Sequence, residues 1–370
     1  MTIHIIYQNY LNREGTALSI GGIQTYISNL SDIFIKEGYG VCVHQQANKE
    51  FSVDHNGIRI KGYKYLGADA KVYKYLYSRA KEHISSDDLL IFGDDAFIVE
   101  NKICKTIAIQ HGVFWDKPER LGCSRLMFLA DYLVQSYRSW KTINRIKLVD
   151  QLVCVDYNFV NWYRALVAHP QLKLEVIPNF SAISEYKNQK KYEGTIKIIF
   201  ARRFFEYRGT RIFADAISRI LEEYKNIYVT VAGEGPDEQF LHERLDKYGN
   251  VEFIKYQSQD SLKIHADKHI ALVPTLGSEG TSLSLLEAMA SQCAVICTNV
   301  GGMTNLVIDH YNGLMIAPES DDLYRSIKLL LNDRTLMAGL ARKAYEITKE
   351  SFSLEVWQNK WKNVIAGLER

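Results

Sequence analysis

Two carboxylates, Glu279 and Glu287, are separated by seven residues in the run Ser278-Glu279-Gly280-Thr281-Ser282-Leu283-Ser284-Leu285-Leu286-Glu287-Ala288-Met289-Ala290. A Gly-Thr-Ser turn follows the first acid, and an apolar, helix-favouring stretch carries the second. Such a segment starts a helix directly after a strand and leaves its first backbone N–H groups outside the helical ladder, where they attract phosphate. An acid on each side of a phosphate pocket suits a nucleotide-sugar binder: one accepts hydroxyl hydrogens from the sugar, the other from the ribose. The same residues also fit a capping box. In that case Ser284-Leu285-Leu286-Glu287 only satisfies backbone amides and Glu279 is an ordinary loop acid. On the local sequence both readings stand.

Other residues with chemical potential lie at strand ends. After Ile198-Ile199-Phe200-Ala201 comes Arg202-Arg203-Phe204-Phe205-Glu206-Tyr207-Arg208-Gly209 and then a helix. Fixed cations in one strand-to-helix loop would stabilise a departing diphosphate, whose charge develops as a glycosidic bond breaks. Arginine suits that task because its planar fork takes two phosphate oxygens; the alternative is a solvated basic turn. Gly21-Gly22 opens the first long helix and lets backbone approach an anion, or is a plain turn. Gln110-His111-Gly112 closes a strand, with Phe114-Trp115-Asp116 just beyond, and places an imidazole where it faces a cleft or is simply hydrogen bonded. Val229–Ala232 followed by Gly233-Glu234-Gly235-Pro236 mimics a dinucleotide fingerprint, but position 238 is Glu and no ribose-binding acid follows at the right spacing, which excludes a nicotinamide site. No metal-ligand spacing and no Gly-x-Ser-x-Gly elbow appears, and Asp94-Asp95 alone is no ligand set. Lys61, Lys64, Lys71, Lys74, Arg79 and Lys81 interleave with Tyr63, Tyr65, Tyr73, Tyr75 and Tyr77, either as a membrane-facing patch or as a solvated helix with a partly buried tyrosine face.

The elements that must position these groups alternate. Short apolar runs at Ile3–Tyr7, Gly40–His44, Leu89–Phe92, Thr106–Gln110, Gln151–Val155 and Leu174–Ile177 are expected strands of a first half. Ile196–Phe200, Ile227–Ala232, Val251–Ile254, Ile270–Val273, Ala294–Thr298 and Gly313–Ile316 are those of a second. Amphipathic stretches such as Ile23–Lys36, Ile212–Tyr224, Asp237–Tyr248 and Asp321–Leu331 lie between them. Strand–helix alternation implies parallel sheets covered on both faces, with ligands outside the carboxyl ends of strands. The 370 residues suffice for two domains, divided near Val176–Ser181 ahead of the polar run Glu185–Gly194. The expected domains are 1–180, 181–350 and a terminal piece, 351–370, whose Trp357 and Trp361 share one helix face over Leu354–Leu368 and could pack back on the first domain. A net charge of +2 excludes any global case for nucleic acid. Cysteines at 42, 104, 123, 154, 293 and 297 form no Cys-x-x-Cys pair, and four lie in apolar runs, so free thiols in a reducing cytoplasm are expected. The amino-terminal residues lack a signal-peptide pattern, and no apolar run reaches the ~20 residues of a membrane span.

Taken in order, these pieces resemble the retaining glycosyltransferases of family 4. The shared features are Gly21-Gly22, His111, Val176-Ile177-Pro178-Asn179, Arg203 through Arg208-Gly209, Ala232 to Pro236, Glu279 with Glu287, Gly301-Gly302 and Asn312-Gly313-Leu314. The resemblance spans nearly the whole chain and is strongest from Val176 to Pro318. It implies an α/β GT-B fold: two Rossmann-like, doubly wound domains facing a cleft, with a carboxyl-terminal helix returning to the first. It implies that Arg203 and Arg208 grip the donor diphosphate, although Arg208 stands where the family more often has Lys and Arg202 where it has Gly. Glu279 would bind donor-sugar hydroxyls, while Gly280, Thr281, Ser282 and Leu283 offer amides. Glu287 would hold the ribose, and His111 would sit beside the transferred sugar. Gly21 and Gly22 would approach the diphosphate, and Tyr256 would stack on the base. The implied reaction is metal-independent hexose transfer with retention, from a UDP- or GDP-linked sugar to a saccharide or lipid-linked acceptor, in cell-surface polysaccharide synthesis. The resemblance implies no cofactor, no nucleic-acid partner, and a cytoplasmic location at which the inner membrane face is a further contact. A nucleotide-sugar epimerase or hydrolase, and a non-catalytic binding protein, are the competing readings.

Overall fold

The computed structural model describes residues 1–367 apart from 20, 69, 70, 114–124, 168–171, 185–191 and 278. Ile20, Phe114, Trp115, Asp116, Cys123, Ser278, Leu368 and the start of the polar run at Glu185 therefore lie outside the described residues. The chain divides into two compact units. One holds Met1–His111, the stretch ending at Ile177, and the chain from Gln358 onward; the other holds Pro178–Trp357 and the short piece after His111.

In the first unit the strands are β1 (Thr2–Ile6), β2 (Gly40–Ala47), β3 (Phe51–His55), β4 (Ile58–Lys64), β5 (Leu89–Phe92), β6 (Lys105–Gln110), β7 (Gln151–Cys154) and β8 (Lys173–Val176). They form one sheet in the order β3-β4-β2-β1-β5-β6-β7-β8, parallel except for the antiparallel pair β3–β4. That pair is a hairpin turned by Asn56 and Gly57, both at positive φ (51° and 80°) as a two-residue turn of this kind requires. It is an addition to the strands expected from the sequence. The helices are α1 (Gly22–Lys36), α2 (Val72–Ala80), α3 (Arg125–Ile146) and α4 (Tyr157–Leu166). Asp156 caps α4, its carboxylate accepting from Phe159 N–H at 2.9 Å. The Lys/Tyr-rich segment, for which a membrane-facing patch and a solvated helix were the two readings, is split between β4 and α2. Several of its tyrosines are internally engaged: Tyr63 is buried, and Tyr75 and Tyr65 donate to the carbonyls of Lys64 and Ala68.

In the second unit β9 (Ile196–Ala201), β10 (Ile227–Ala232), β11 (Val251–Ile254), β12 (Ile270–Val273), β13 (Ala294–Thr298) and β14 (Leu314–Ile316) form an all-parallel sheet, ordered β11-β10-β9-β12-β13-β14. Its helices are α5 (Thr210–Glu223), α6 (Glu238–Leu245), α7 (Ser261–His265), α8 (Leu283–Ala290), α9 (Ser320–Asn332) and α10 (Arg334–Ser351). Successive side chains of β9 point to opposite faces. Ile196, Ile198 and Phe200 join the core with the apolar stripe of α5 (Phe213, Ile217, Ile220), while Ile199 and Ala201 join the core with α8 (Leu285, Leu286, Met289). Burial on both faces explains why these strands read as continuous apolar runs. The strand order reverses direction between β9 and β12, and in a doubly wound sheet the crevice outside the carboxyl ends at that point receives ligands.

The last helix, α11 (Leu354–Ala366), carries both tryptophans buried. Trp357, in the second unit, packs on Phe180 with ring centroids 4.3 Å apart. Trp361, in the first, donates its indole N–H to Tyr26 Oη at 2.8 Å. Replacing Trp361 by Ala is expected to cost about 3–5 kcal/mol in urea denaturation, the range for deleting a buried indole; an unchanged midpoint would show that this helix end contributes nothing.

Candidate active site

The loops leaving β9 and β12 meet at the reversal point. Arg202 directly follows β9 and is buried. Its Nη1 donates to Thr275 Oγ1 at 2.6 Å, and its Nη2 donates to Glu279 Oε2 at 2.8 Å. Arg208 Nη1 donates to the same Glu279 oxygen, and Thr275 Oγ1 reaches it at 3.3 Å. Two guanidiniums thus share one carboxylate, an excess of positive charge among the described residues, where the three side chains are 4 %, 17 % and 11 % exposed. Burial lowers both arginines, each to about 10, so both stay charged at neutral pH. Arg203, expected from the sequence to pair with Arg208, is exposed, and its guanidinium lies over the Phe205 ring at 5.6 Å. Alternation at the end of β9 turns Arg202 inward and Arg203 outward.

Backbone packing fixes these loops. Gly209, at φ +84°, ends the Glu206–Arg208 turn; a Cβ there would lie 1.8 Å from Pro274 O. Gly302 N–H donates to Glu279 O at 2.8 Å, and a Cβ on Gly302 would lie 2.4 Å from the Gly280 carbonyl carbon. Asn179, the last residue of the Val176-Ile177-Pro178-Asn179 motif, clasps the same loop: its N–H donates to Thr281 Oγ1 at 2.8 Å and its Nδ2 to Thr281 O at 2.6 Å. Gly280, Thr281 and Ser282 therefore lead into α8 by a path held from two sides. Ser282 is the N-cap, its side chain makes no capping bond, and the ladder begins with Leu286 N–H to Ser282 O. The amides at Leu283, Ser284 and Leu285 thus precede the ladder.

The capping-box alternative is not realised. The cap is Ser282, two residues before Ser284, and Glu287 instead accepts from Ser261 Oγ at 2.5 Å. Burial raises the Glu287 carboxyl to about 7, with the Ser261 bond opposing the shift. Tyr256 lies nearby, partly buried against the α8 core; burial, and then the Glu287 charge, raise its phenol.

In the first unit, Gly21 is the N-cap of α1 with extended backbone, and Gly22 is exposed. His111 follows β6. Its Nε2 lies 2.9 Å from Gly93 O, a group that only accepts, so Nε2 carries the proton and Nδ1 is the acceptor. The Tyr26 ring meets the imidazole edge-on at 5.4 Å. Burial lowers the His111 pKa, against the opposing pull of Asp94, and keeps the ring neutral. Asp94 beside His111, and Arg202, Ser261 and Thr275 beside Glu279 and Glu287, were not singled out from the sequence as site residues. One donor group among the described residues, His4, Cys42 and His44, has its ligand atoms within 4.8 Å of one another on adjacent strands of this unit. Its imidazoles are hydrogen bonded to each other at 2.9 Å, and burial lifts the Cys42 thiol to about 11.

Two doubly wound parallel-sheet units have the architecture of the GT-B fold. Residues 183–347 match the model of the family glycosyl transferases group 1. An uncharacterized glycosyltransferase of Methanocaldococcus jannaschii is 23% identical, covering 94% of this chain and 95% of its own. Among solved structures, sucrose-phosphate synthase from Thermosynechococcus elongatus has a TM-score of 0.76 at 15% identity, covering 99% of this chain and 98% of its own. The HepE protein of Anabaena, solved with UDP and glucose, has a TM-score of 0.70 at 14% identity, with 99% of each chain covered. These structural likenesses establish the fold; the family match and the M. jannaschii relative support glycosyltransferase activity.

A carboxyl raised on folding stabilises the fold while protonated. That contribution is complete below the unfolded value of ~4.3 and is lost as pH rises through about 7. Glu287→Gln removes it, so the melting temperature of the variant should gain on the wild type as pH is raised through this window. A difference that stays constant with pH would contradict the raised carboxyl.

Proposed function

We propose that this protein transfers a hexose from a nucleotide-diphosphate sugar, UDP- or GDP-linked, to a saccharide or lipid-linked acceptor with retention at the anomeric carbon, and that it does so without a metal ion in cell-surface polysaccharide synthesis at the cytoplasmic side of the membrane. The observation that carries this reading is the pair Arg202 and Arg208 on the single Glu279 carboxylate at the reversal point of the second sheet. The excess positive charge suits a diphosphate, and it would stabilise the leaving group most as the glycosidic bond lengthens. The amides at the start of α8 favour the same anion. When the diphosphate takes over the guanidiniums, Glu279 is released to accept hydroxyl hydrogens from the sugar. Glu287 accepts the ribose hydroxyls, Tyr256 supports the base, and neutral His111 offers Nδ1 to a sugar hydroxyl. The departing diphosphate oxygen takes the proton of the incoming acceptor hydroxyl on the same face of the sugar, which gives retention without a protein nucleophile. The solved HepE complex with UDP and glucose supports a uridine diphosphate donor by fold likeness.

Arg208→Ala should lower turnover by ~10²–10³, the precedent for one lost stabilising donor, while a chelator leaves wild-type turnover unchanged. Wild-type turnover in that variant would remove Arg208 from the leaving-group site, and loss of activity on chelation would replace the metal-free scheme. UDP- and GDP-sugars should raise the melting temperature by mass action. Donor breakdown at full rate without acceptor would favour the hydrolase reading.

A further inference from the structure

Helix α3 has no role in the chemistry above, yet it carries many of the exposed large apolar side chains among the described residues. Its last turns are anchored: Thr142 and Ile146 are buried, and Arg145 Nη1 donates to Asp95 O at 3.4 Å. Earlier turns expose large apolar side chains, with Phe128 69 % exposed, Trp140 63 % and Tyr137 60 %. Leu129, Leu133, Tyr137 and Trp140, at i, i+4, i+8 and i+11, lie along one face, and the last two stack with ring centroids 6.1 Å apart. Phe128 and Tyr132 form an adjoining ridge. A patch this continuous marks a docking surface rather than scattered exposure.

The charge on the same segment selects the occupant. Residues 125–147 contain five cations (Arg125, Arg138, Lys141, Arg145, Lys147) and one acid (Asp131), an excess of four where the whole chain carries +2. An isologous contact between two copies of α3 would bring these cations together with little acid to offset them. The apolar residues also cover more than one side of the helix, which suits immersion in a fluid better than a flat partner. Tyrosine and tryptophan beside leucine, with flanking lysine and arginine, are the composition of helices that lie in a bilayer interface. At the anchored end, Arg145 lies 5.7 Å from the Tyr73 ring of α2, and the exposed Lys74 lies 5.9 Å from the same ring, so its charge sits beside that end of α3.

We infer that α3 is a membrane-docking helix, seated in the interfacial layer of an anionic bilayer through its Leu129–Leu133–Tyr137–Trp140 face and held there by the lysines and arginines of α3 and α2. This inference is independent of the donor-site chemistry, and its test uses no turnover. The intact protein is floated with phosphatidylcholine vesicles with and without phosphatidylglycerol. It should float with the anionic vesicles alone, and less so as salt is raised. Leu133→Asp combined with Trp140→Asp should lower the bound fraction at least about tenfold, while circular dichroism and melting temperature stay unchanged, because both side chains are exposed. Arg138→Glu with Lys141→Glu should weaken binding to the anionic vesicles. Should the aspartate pair disturb folding, quenching of wild-type tryptophan fluorescence by brominated anionic lipid gives the same answer. Failure of the wild type to float and be quenched would overturn the inference. So would a dimer in light scattering that the aspartate pair dissolves without any vesicle binding, which would assign the face to a second copy.

Discussion

Glu279 accepts hydrogen bonds from two guanidinium groups on one carboxylate oxygen, at the ends of neighbouring strands, in a place that water scarcely reaches. One carboxylate cannot balance two fixed cations, and in a low-dielectric setting the remaining charge is felt strongly. The surroundings hold the arrangement in place rather than letting it relax. Gly209 lets the arginine loop approach Pro274, Gly302 lies backbone to backbone on Gly280, and Asn179 ties down Thr281. These positions are spread along the sequence, but the reversal of strand order between β9 and β12 makes them neighbours.

A neutral His111 with its Nε2 proton committed to Gly93 can only accept at Nδ1, so it adds no charge of its own. Glu287 is held by Ser261 and buried. It is a carboxyl close to its titration point, and a pair of ribose hydroxyls would favour its charged form. In the second unit the fixed charge is therefore concentrated on the arginines, where the proposed diphosphate would meet it.

Much of this was legible in the sequence, because parallel strands buried on both faces leave unbroken apolar runs. All twelve strands expected from the sequence coincide with observed ones to within a few residues at their ends. The β3–β4 hairpin was missed even though Asn56-Gly57 between alternating runs is a strong local turn signal. The short, half-buried strands beside it did not stand out. Helix α3 was missed for the opposite reason: its apolar residues do not form the single stripe of a core-facing helix. The motif spacing located the arginine loop but not which arginine turns inward, since that depends on the register of one residue beyond the end of β9. Glu287 looked like a capping residue until the cap proved to be Ser282, and its partner Ser261 lies on a separate helix that local spacing cannot reach.

The central claim is that the Arg202–Arg208–Glu279 cluster is a diphosphate site. Calorimetric titration of UDP and GDP against uridine and guanosine tests it most directly. The account predicts that one diphosphate binds at least about 100-fold more tightly than its nucleoside, a difference of about 2.7 kcal/mol, with the preference shrinking as salt rises. A nucleoside that binds as tightly as its diphosphate, or a protein that binds neither diphosphate, would contradict it.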